Sequence, residues 1–441
     1  MEQCGGSLRK RVAMSVDRIS ELPEALLIQI LSSLPTKLVI STSVLSQRWR
    51  SVWEMMPNLE FDQSNGNIKG FAENVSKSLL LHKAPILQSL HLKVRDRCEH
   101  VYVGIWVAIA FNRHVRDFEL DLNFYGNPVR FPSCLFCFNE LETLKLKNKL
   151  LLDVPCLVPM KSLRTLHLDY VEYKDDESYR NLLSSCPNLE HLVLRRHYHY
   201  NAVSNFVIVA PSLKTLWLHD TIHRAGNSSF EINAPSLEFL NIEKLTGYQV
   251  FRIENALEIV EANIRNVSYI ANEMIMGSLS SAKRLSLDLS PLQITFPTGV
   301  IFRQLVELEM YTHKDEWWNL LTLMLDSSPK LQVLKLIDDG STSLDFDKKS
   351  TDEGKWNEPK YVPECLLSHL ETLVWTRYHW EREEEKEVAT YILRNARQLK
   401  KATFTTYPIK SKKLNKLARR REQFSELECV VSSCELVLQV E

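Results

Sequence analysis

Glycine is scarce in this chain, 12 residues in 441, which argues against folds built on glycine-rich nucleotide-binding loops. Neither sign of charge is in excess: 54 Lys+Arg stand against 55 Asp+Glu, a net charge of −1. No overall positive field exists to hold a nucleic acid or an anionic membrane. Long apolar runs are missing too. The longest, Val101–Phe111, is 11 residues, too short to cross a bilayer and better read as a buried helix. The first fifteen residues hold no apolar core of a secretion signal. Nine cysteines, an odd number scattered over a long chain, suit reduced thiols inside the cell rather than a disulfide framework. What the chain has in abundance is leucine, 66 of 441 residues.

Those leucines repeat. The pattern LxxLxL recurs at Leu87, Leu141, Leu163, Leu189 and Leu213, with looser copies at Val115, Leu237, Ala282, Leu305, Leu331 and Leu370. Successive starts from 87 to 237 are 28, 26, 22, 26, 24 and 24 residues apart. A poorly formed copy is read at Leu257, with further intervals of 25, 23 and 26. This is the period of leucine-rich repeats. Within each copy the last two leucines lie two apart on a strand and share one side, with the residue between them facing away. A lone strand cannot bury them, but stacked copies form a parallel sheet over a continuous apolar interior. The expected fold is therefore an α/β leucine-rich-repeat solenoid, with parallel strands on the concave side and helices on the convex side. Asp176–Asn188 and Glu316–Lys330 read as such helices. The interval from Leu331 to Leu370 is 39, and its excess falls in Asp338–Glu358, seven acidic and three basic residues that read as a solvated loop.

Residues Val16–Asp62 follow a different pattern. Pro23 suits the first turn of a helix reaching about Ser33, a second helix covers Lys37–Val44, and Ser46 caps a third. In the third, Trp49, Val52, Trp53 and Met56 form one apolar stripe. The first is apolar nearly all round, through Ala25, Leu26, Leu27, Ile28, Ile30 and Leu31. So small a unit cannot cover them all, and some are expected to meet a partner.

Leu22-Pro23, the run LLIQILSSLP, the segment SVLSQRWRSVW and the trailing PNLEFD together resemble the plant F-box pattern. The repeats resemble those that follow it in the F-box/FBD/leucine-rich-repeat family, and Trp356–Phe404, continuing to Ser432–Leu438, resembles the FBD module. One departure is His379-Trp380, where the FBD pattern usually carries a glycine. The resemblance implies a three-helix F-box before the solenoid and an FBD module ending it. The divisions are 1–14 as a flexible start, 15–62 as the F-box and 85–337 as repeats. An acidic loop at 338–358 and the FBD module at 359–441 complete them. It further implies a non-catalytic substrate receptor of a Skp–cullin–F-box (SCF) ubiquitin ligase, intracellular, in cytoplasm or nucleus. Its F-box would dock on the Skp adaptor and through it reach cullin, while the repeats hold an unknown target protein. A repeat scaffold or sensor that joins no ligase is the alternative. Carried onto this chain, the adaptor contacts are Leu22, Pro23, Leu26, Ile30, Leu34, Pro35, Val44, Leu45 and Trp49, some of which, Trp49 above all, would also serve the unit's own core.

Target binding should use the strand residues opposite the buried leucines. Among them His167, Arg195, Trp217 and His219 are the candidate hot spot, since exposed aromatics and arginine anchor interfaces; ordinary surface residues are the competing reading. No catalytic or cofactor site is expected. Cys134 and Cys137 lack the second ligand pair that zinc needs, and His197 and His199 lack a carboxylate cluster. Glu381–Glu387 reads as a solvated helix start. Lys410–Arg421, seven basic residues in twelve, reads either as an import or nucleic-acid patch or, preferably, as a final basic helix burying Leu414 and Leu417. Nucleic acid and membrane are not expected partners.

Overall fold

The computed structural model describes residues 19, 21–63, 70–96, 99–132, 140–154, 159–196, 205–221, 229–245, 250–267, 274–289, 296, 299–314, 316–339, 356–380, 382–406, 414–430 and 434–440. Three helices open the chain: α1 (Glu24–Leu31), α2 (Thr36–Thr42) and α3 (Gln47–Glu54). Pro23 and Pro35 stand immediately before α1 and α2 with their φ already near helical values. Ser46 caps α3, its hydroxyl accepting the Trp49 backbone N–H at 3.4 Å.

Strand β1 (Asn58–Asp62) follows and pairs in parallel with β2 (Ser89–Val94) across α4 (Phe71–Leu81). Then α5 (His100–Asn112) leads to β3 (Asp117–Leu122), β4 (Val129–Arg130), β5 (Thr143–Asn148), β6 (Leu150–Leu152), β7 (Thr165–Asp169) and β8 (Glu172–Tyr173). After α6 (Asp176–Ser184) come β9 (His191–Arg196), β10 (Asn205–Val209), β11 (Thr215–Asp220), β12 (Ser229–Asn233), β13 (Phe239–Glu243), β14 (Val250–Glu254) and β15 (Glu261–Arg265). The last part holds α7 (Met274–Ser278), β16 (Arg284–Asp288), β17 (Glu307–Tyr311), α8 (Trp317–Ser327) and β18 (Val333–Ile337). It closes with α9 (Glu364–Ser368), β19 (Thr372–Thr376), α10 (Glu383–Asn395), β20 (Lys401–Thr406), α11 (Leu414–Val430) and β21 (Glu435–Val440).

Fifteen strands form one parallel sheet in the order β1-β2-β3-β5-β7-β9-β11-β13-β15-β16-β17-β18-β19-β20-β21. The register puts the repeat leucines in line: Leu90, Phe118, Leu144, Leu166, Leu192, Leu216 and Leu240 are successive partners. All are buried, in one core continuous from Leu27 on α1 to Leu427 on α11. The α/β solenoid is thus as the leucine spacing implies, and the C-terminal strands extend the same sheet.

The structure departs from the sequence reading in several places. The sheet begins at Asn58, inside the segment read as a separate N-terminal unit, because Leu59 carries the same buried role as the repeat leucines. Helices cover the return side towards the two ends and, through α6, at one turn between them. In the middle, β4-β6-β8 and β10-β12-β14 form two small parallel sheets there instead. Phe206, Phe230 and Phe251 stack face to face across the second, at 5.6 and 5.7 Å. Their segments NFVIV, SFEIN and VFRIE alternate apolar and polar, a period of two that suits strands and not helices.

The repeat read at Leu257 is two residues out of register. Leu257 is 81% exposed in a turn, while Ile259, Ala262 and Ile264 take the three buried positions. Asp338, read as loop, is buried and accepts a hydrogen bond from His379 Nε2 at 2.7 Å; residues 340–355 of that segment lie outside the described ones. Glu385, read as part of a solvated helix start, is buried in the first turn of α10. It accepts the His379 backbone N–H at 2.9 Å and pairs with Arg382 at 3.0 Å.

Candidate functional site

Helix α1 divides its apolar residues between two sides. Leu27 and Leu31 point into the core, packed with Val39, Val52 and Trp53. Leu26 and Ile30, four apart, lie on the exposed side. Leu34 continues that line, followed by Val44 and Leu45 at the end of α2, which are 85% and 65% exposed. Pro23 and Pro35 are exposed beside them. Seven of the nine expected adaptor contacts therefore share the outer surface of the three-helix unit.

Two do not. Trp49 is only 8% exposed: with Val52 and Trp53 it belongs to the unit's own core, where an aromatic side chain recovers most burial energy. Leu22 is half-buried and packs against that core, and its carbonyl accepts a hydrogen bond from Arg48. Ile19 and Leu38, which are not among the nine, are exposed as well.

The three-helix unit is clamped to the first repeat through His82 at the end of α4. Its Nε2 meets the Met56 carbonyl at 2.7 Å and its Nδ1 meets Arg113 Nη1 at 2.6 Å. A cation donating to Nδ1 requires a neutral ring with its proton on Nε2. Burial lowers the His82 pKa; the Met56 carbonyl opposes the shift and Arg113 reinforces it.

On the open side of the sheet, two ladders of polar residues run across the strands. The first passes through Glu60, His91, Glu119, Lys145, His167, Val193, Trp217 and Asn241. The second passes through Asp62, Lys93, Asp121, Lys147, Asp169, Arg195, His219 and Glu243. Signs alternate along the second from Asp62 to Arg195, and charges pair within and between the ladders: Lys93 with Asp62 at 3.6 Å, Lys147 with Glu119 of the first at 2.7 Å, Arg195 with Asp169 at 3.3 Å. Burial pushes the Glu119 carboxyl up, but the Lys147 hydrogen bond and the charges of Lys147, His91 and Lys145 outweigh it and hold its pKa low. The surface neutralises itself and offers no concentrated anion pocket.

The four candidate target contacts are brought together on β7, β9 and β11. Trp217 is 43% exposed and lies against Phe239, ring centroids 5.3 Å apart. Arg195 is exposed beside it. His167 and His219 are only half-buried, next to Asp169 at 3.6 Å and Glu243 at 3.2 Å. Among the described residues, no group of His, Cys, Asp and Glu is arranged to hold a metal ion. Cys134, Cys137, His197 and His199 lie outside them, as do the side chains of Leu414 and Leu417 on α11. No described helix is long and apolar enough to cross a membrane.

Three family models match the chain: F-box domain at residues 19–61, the LRR repeats of FBD-associated F-box protein At5g56370 at 103–267, and FBD at 358–404. F-box/FBD/LRR-repeat protein At3g51530 of Arabidopsis thaliana is 65% identical over 448 residues, spanning 100% of this chain and 97% of the relative. F-box/FBD/LRR-repeat protein At3g52680 of the same plant is 54% identical, spanning 99% and 96%. FBD-associated F-box protein At3g52670, also from Arabidopsis thaliana, is 53% identical, spanning 96% and 98%. Among solved structures, an LRR protein of Leptospira interrogans aligns at 15% identity with a TM-score of 0.39, covering 89% of this chain and 92% of that one. That likeness is too distant to bear on the fold.

Proposed function

Since the chain belongs to the plant F-box/FBD/LRR-repeat family, we propose that it is a substrate-receptor subunit of an SCF ubiquitin ligase. Proteins joining an F-box to leucine-rich repeats are typically such receptors and generally non-catalytic, and F-box domains generally bind Skp adaptors. The observation that carries the reading is the exposed apolar line Leu26–Ile30–Leu34–Leu38 with Ile19, Val44 and Leu45. Fully burying each such side chain is worth about 1.5–3 kcal/mol, so a few suffice for stable association. The docking unit is residues 15–62, whose last strand is shared with the solenoid; 85–337 carry the target surface and 359–441 close it. The chain itself performs no chemistry and works inside the cell.

The test is adaptor pull-down. Leu26→Asp with Ile30→Asp changes only exposed positions, so the solenoid should fold normally while adaptor capture falls at least about tenfold. Undiminished capture by a folded double variant overturns the assignment. Leu22 is left unchanged, because its contact with the core would confound loss of docking with loss of folding. For the target surface, Trp217→Ala with Arg195→Ala should reduce proteins recovered from cells with degradation blocked, leaving adaptor recovery intact. Recovery of every target at wild-type level would remove those two residues from the interface.

A further inference from the structure

The seam between the three-helix unit and the first repeat forms an open cavity of about 630 Å³, within the range of small-molecule sites. Its floor is apolar: Ile40 from α2, Trp53 from α3, Phe61 from β1, and Phe71 and Leu81 from α4. Three cations stand on its rim, Lys37, Arg50 and Lys77, one from each of α2, α3 and α4, and none has a carboxylate partner among the described residues. The three acids on the rim are occupied elsewhere. Glu54 pairs with Lys83 at 2.6 Å, and Glu60 and Asp62 with Lys93 at 2.7 and 3.6 Å.

An apolar recess with three cations on its rim that make no ion pair among the described residues complements a molecule with an apolar body and one acidic group. We propose that this cavity binds an amphipathic organic anion, its ring or branched hydrocarbon on the Trp53–Phe71 floor and its acid group among Lys37, Arg50 and Lys77. Leu26, Ile30, Leu34, Leu38, Val44 and Leu45 do not line the cavity, so a ligand there leaves the docking face free. It touches the three-helix unit, the first strand and the first repeat helix together, and its binding favours the one arrangement that places all three around it.

The probe is 2-naphthoate, with uncharged 2-naphthamide as its control, titrated by calorimetry into the full-length chain. Saturable binding of one naphthoate is expected, weakened about tenfold or more in naphthamide and in Lys37→Gln/Arg50→Gln/Lys77→Gln. Ser78→Trp, which fills the cavity from α4, should abolish it. Leu26→Asp with Ile30→Asp should leave it unchanged, so this proposal and the ligase reading fail separately. The site is overturned by absence of saturable binding, by naphthamide binding equally well, by binding that either cavity variant leaves unaltered, or by loss in the docking-face variant.

Discussion

His82 is an example of one side chain joining two parts of a chain through its protonation state. The folded protein holds its ring neutral, whereas an unfolded chain takes up a proton near pH 6.5. The stability this residue confers is therefore present above that pH and lost as pH falls below it, through the lowered pKa of the folded protein. Thermal melts should show a lower Tm at about pH 5.5 than at about pH 7.5, with the drop reduced in His82→Gln; an identical pH slope in both proteins would contradict this role. Burial also pushes the thiols of Cys186 and Cys365 up to about 12. Both should resist iodoacetamide in the native protein, while exposed Cys429 is modified, as peptide mapping by mass would show. Ownership of single positions was the part least readable beforehand. Trp49 matches a docking pattern and a core stripe equally well, and Leu257 matches the repeat as well as Ile259 does. Only the packing around them separates an inward side chain from an outward one.

The strand β12 shows how a return segment holds its place without a helix. Phe230 lies between Phe206 and Phe251 in a stack across the small sheet. Phe230→Ala should cost about 3–5 kcal/mol, read as a shifted unfolding midpoint; a loss under about 1 kcal/mol would mean that the stack contributes little. Arg196 sits 3.6 Å over the Phe206 ring and pairs with Asp220 at 3.0 Å, tying this small sheet to β9 and β11 of the main one. Helices with strong local signals were legible: Ser46 caps α3 and Asp175 caps α6, each from its own side chain. The short convex strands were not read, although their alternation of two was present. Five-residue segments between leucine repeats carry little signal of their own and become strands by pairing with one another.

The chain from α1 to α11 shares a single core, and this changes what truncation can reveal. Removing Val16–Asp62 deletes β1 with the helices, exposing the edge of β2 and the apolar side chains beneath it. Such a truncated chain should melt at a lower temperature and aggregate, as circular dichroism and gel filtration would report. If it matches the full chain in Tm and remains monomeric, the first strand is dispensable and the three-helix unit is an independent domain.

Leucine spacing alone specified the solenoid, its parallel strands and the side each repeat residue faces, because a period of two on a strand leaves no choice of face once the leucines are buried. The proline and serine signals likewise specified three short helices at the start. Packing in three dimensions settled the rest: which half of α1 stays in water, where the sheet starts, and that Asp338, ahead of the long insertion, meets His379, which with Glu385 lies beyond the following strand. Those outcomes depend on contacts between residues far apart in the chain, whose geometry no local pattern encodes.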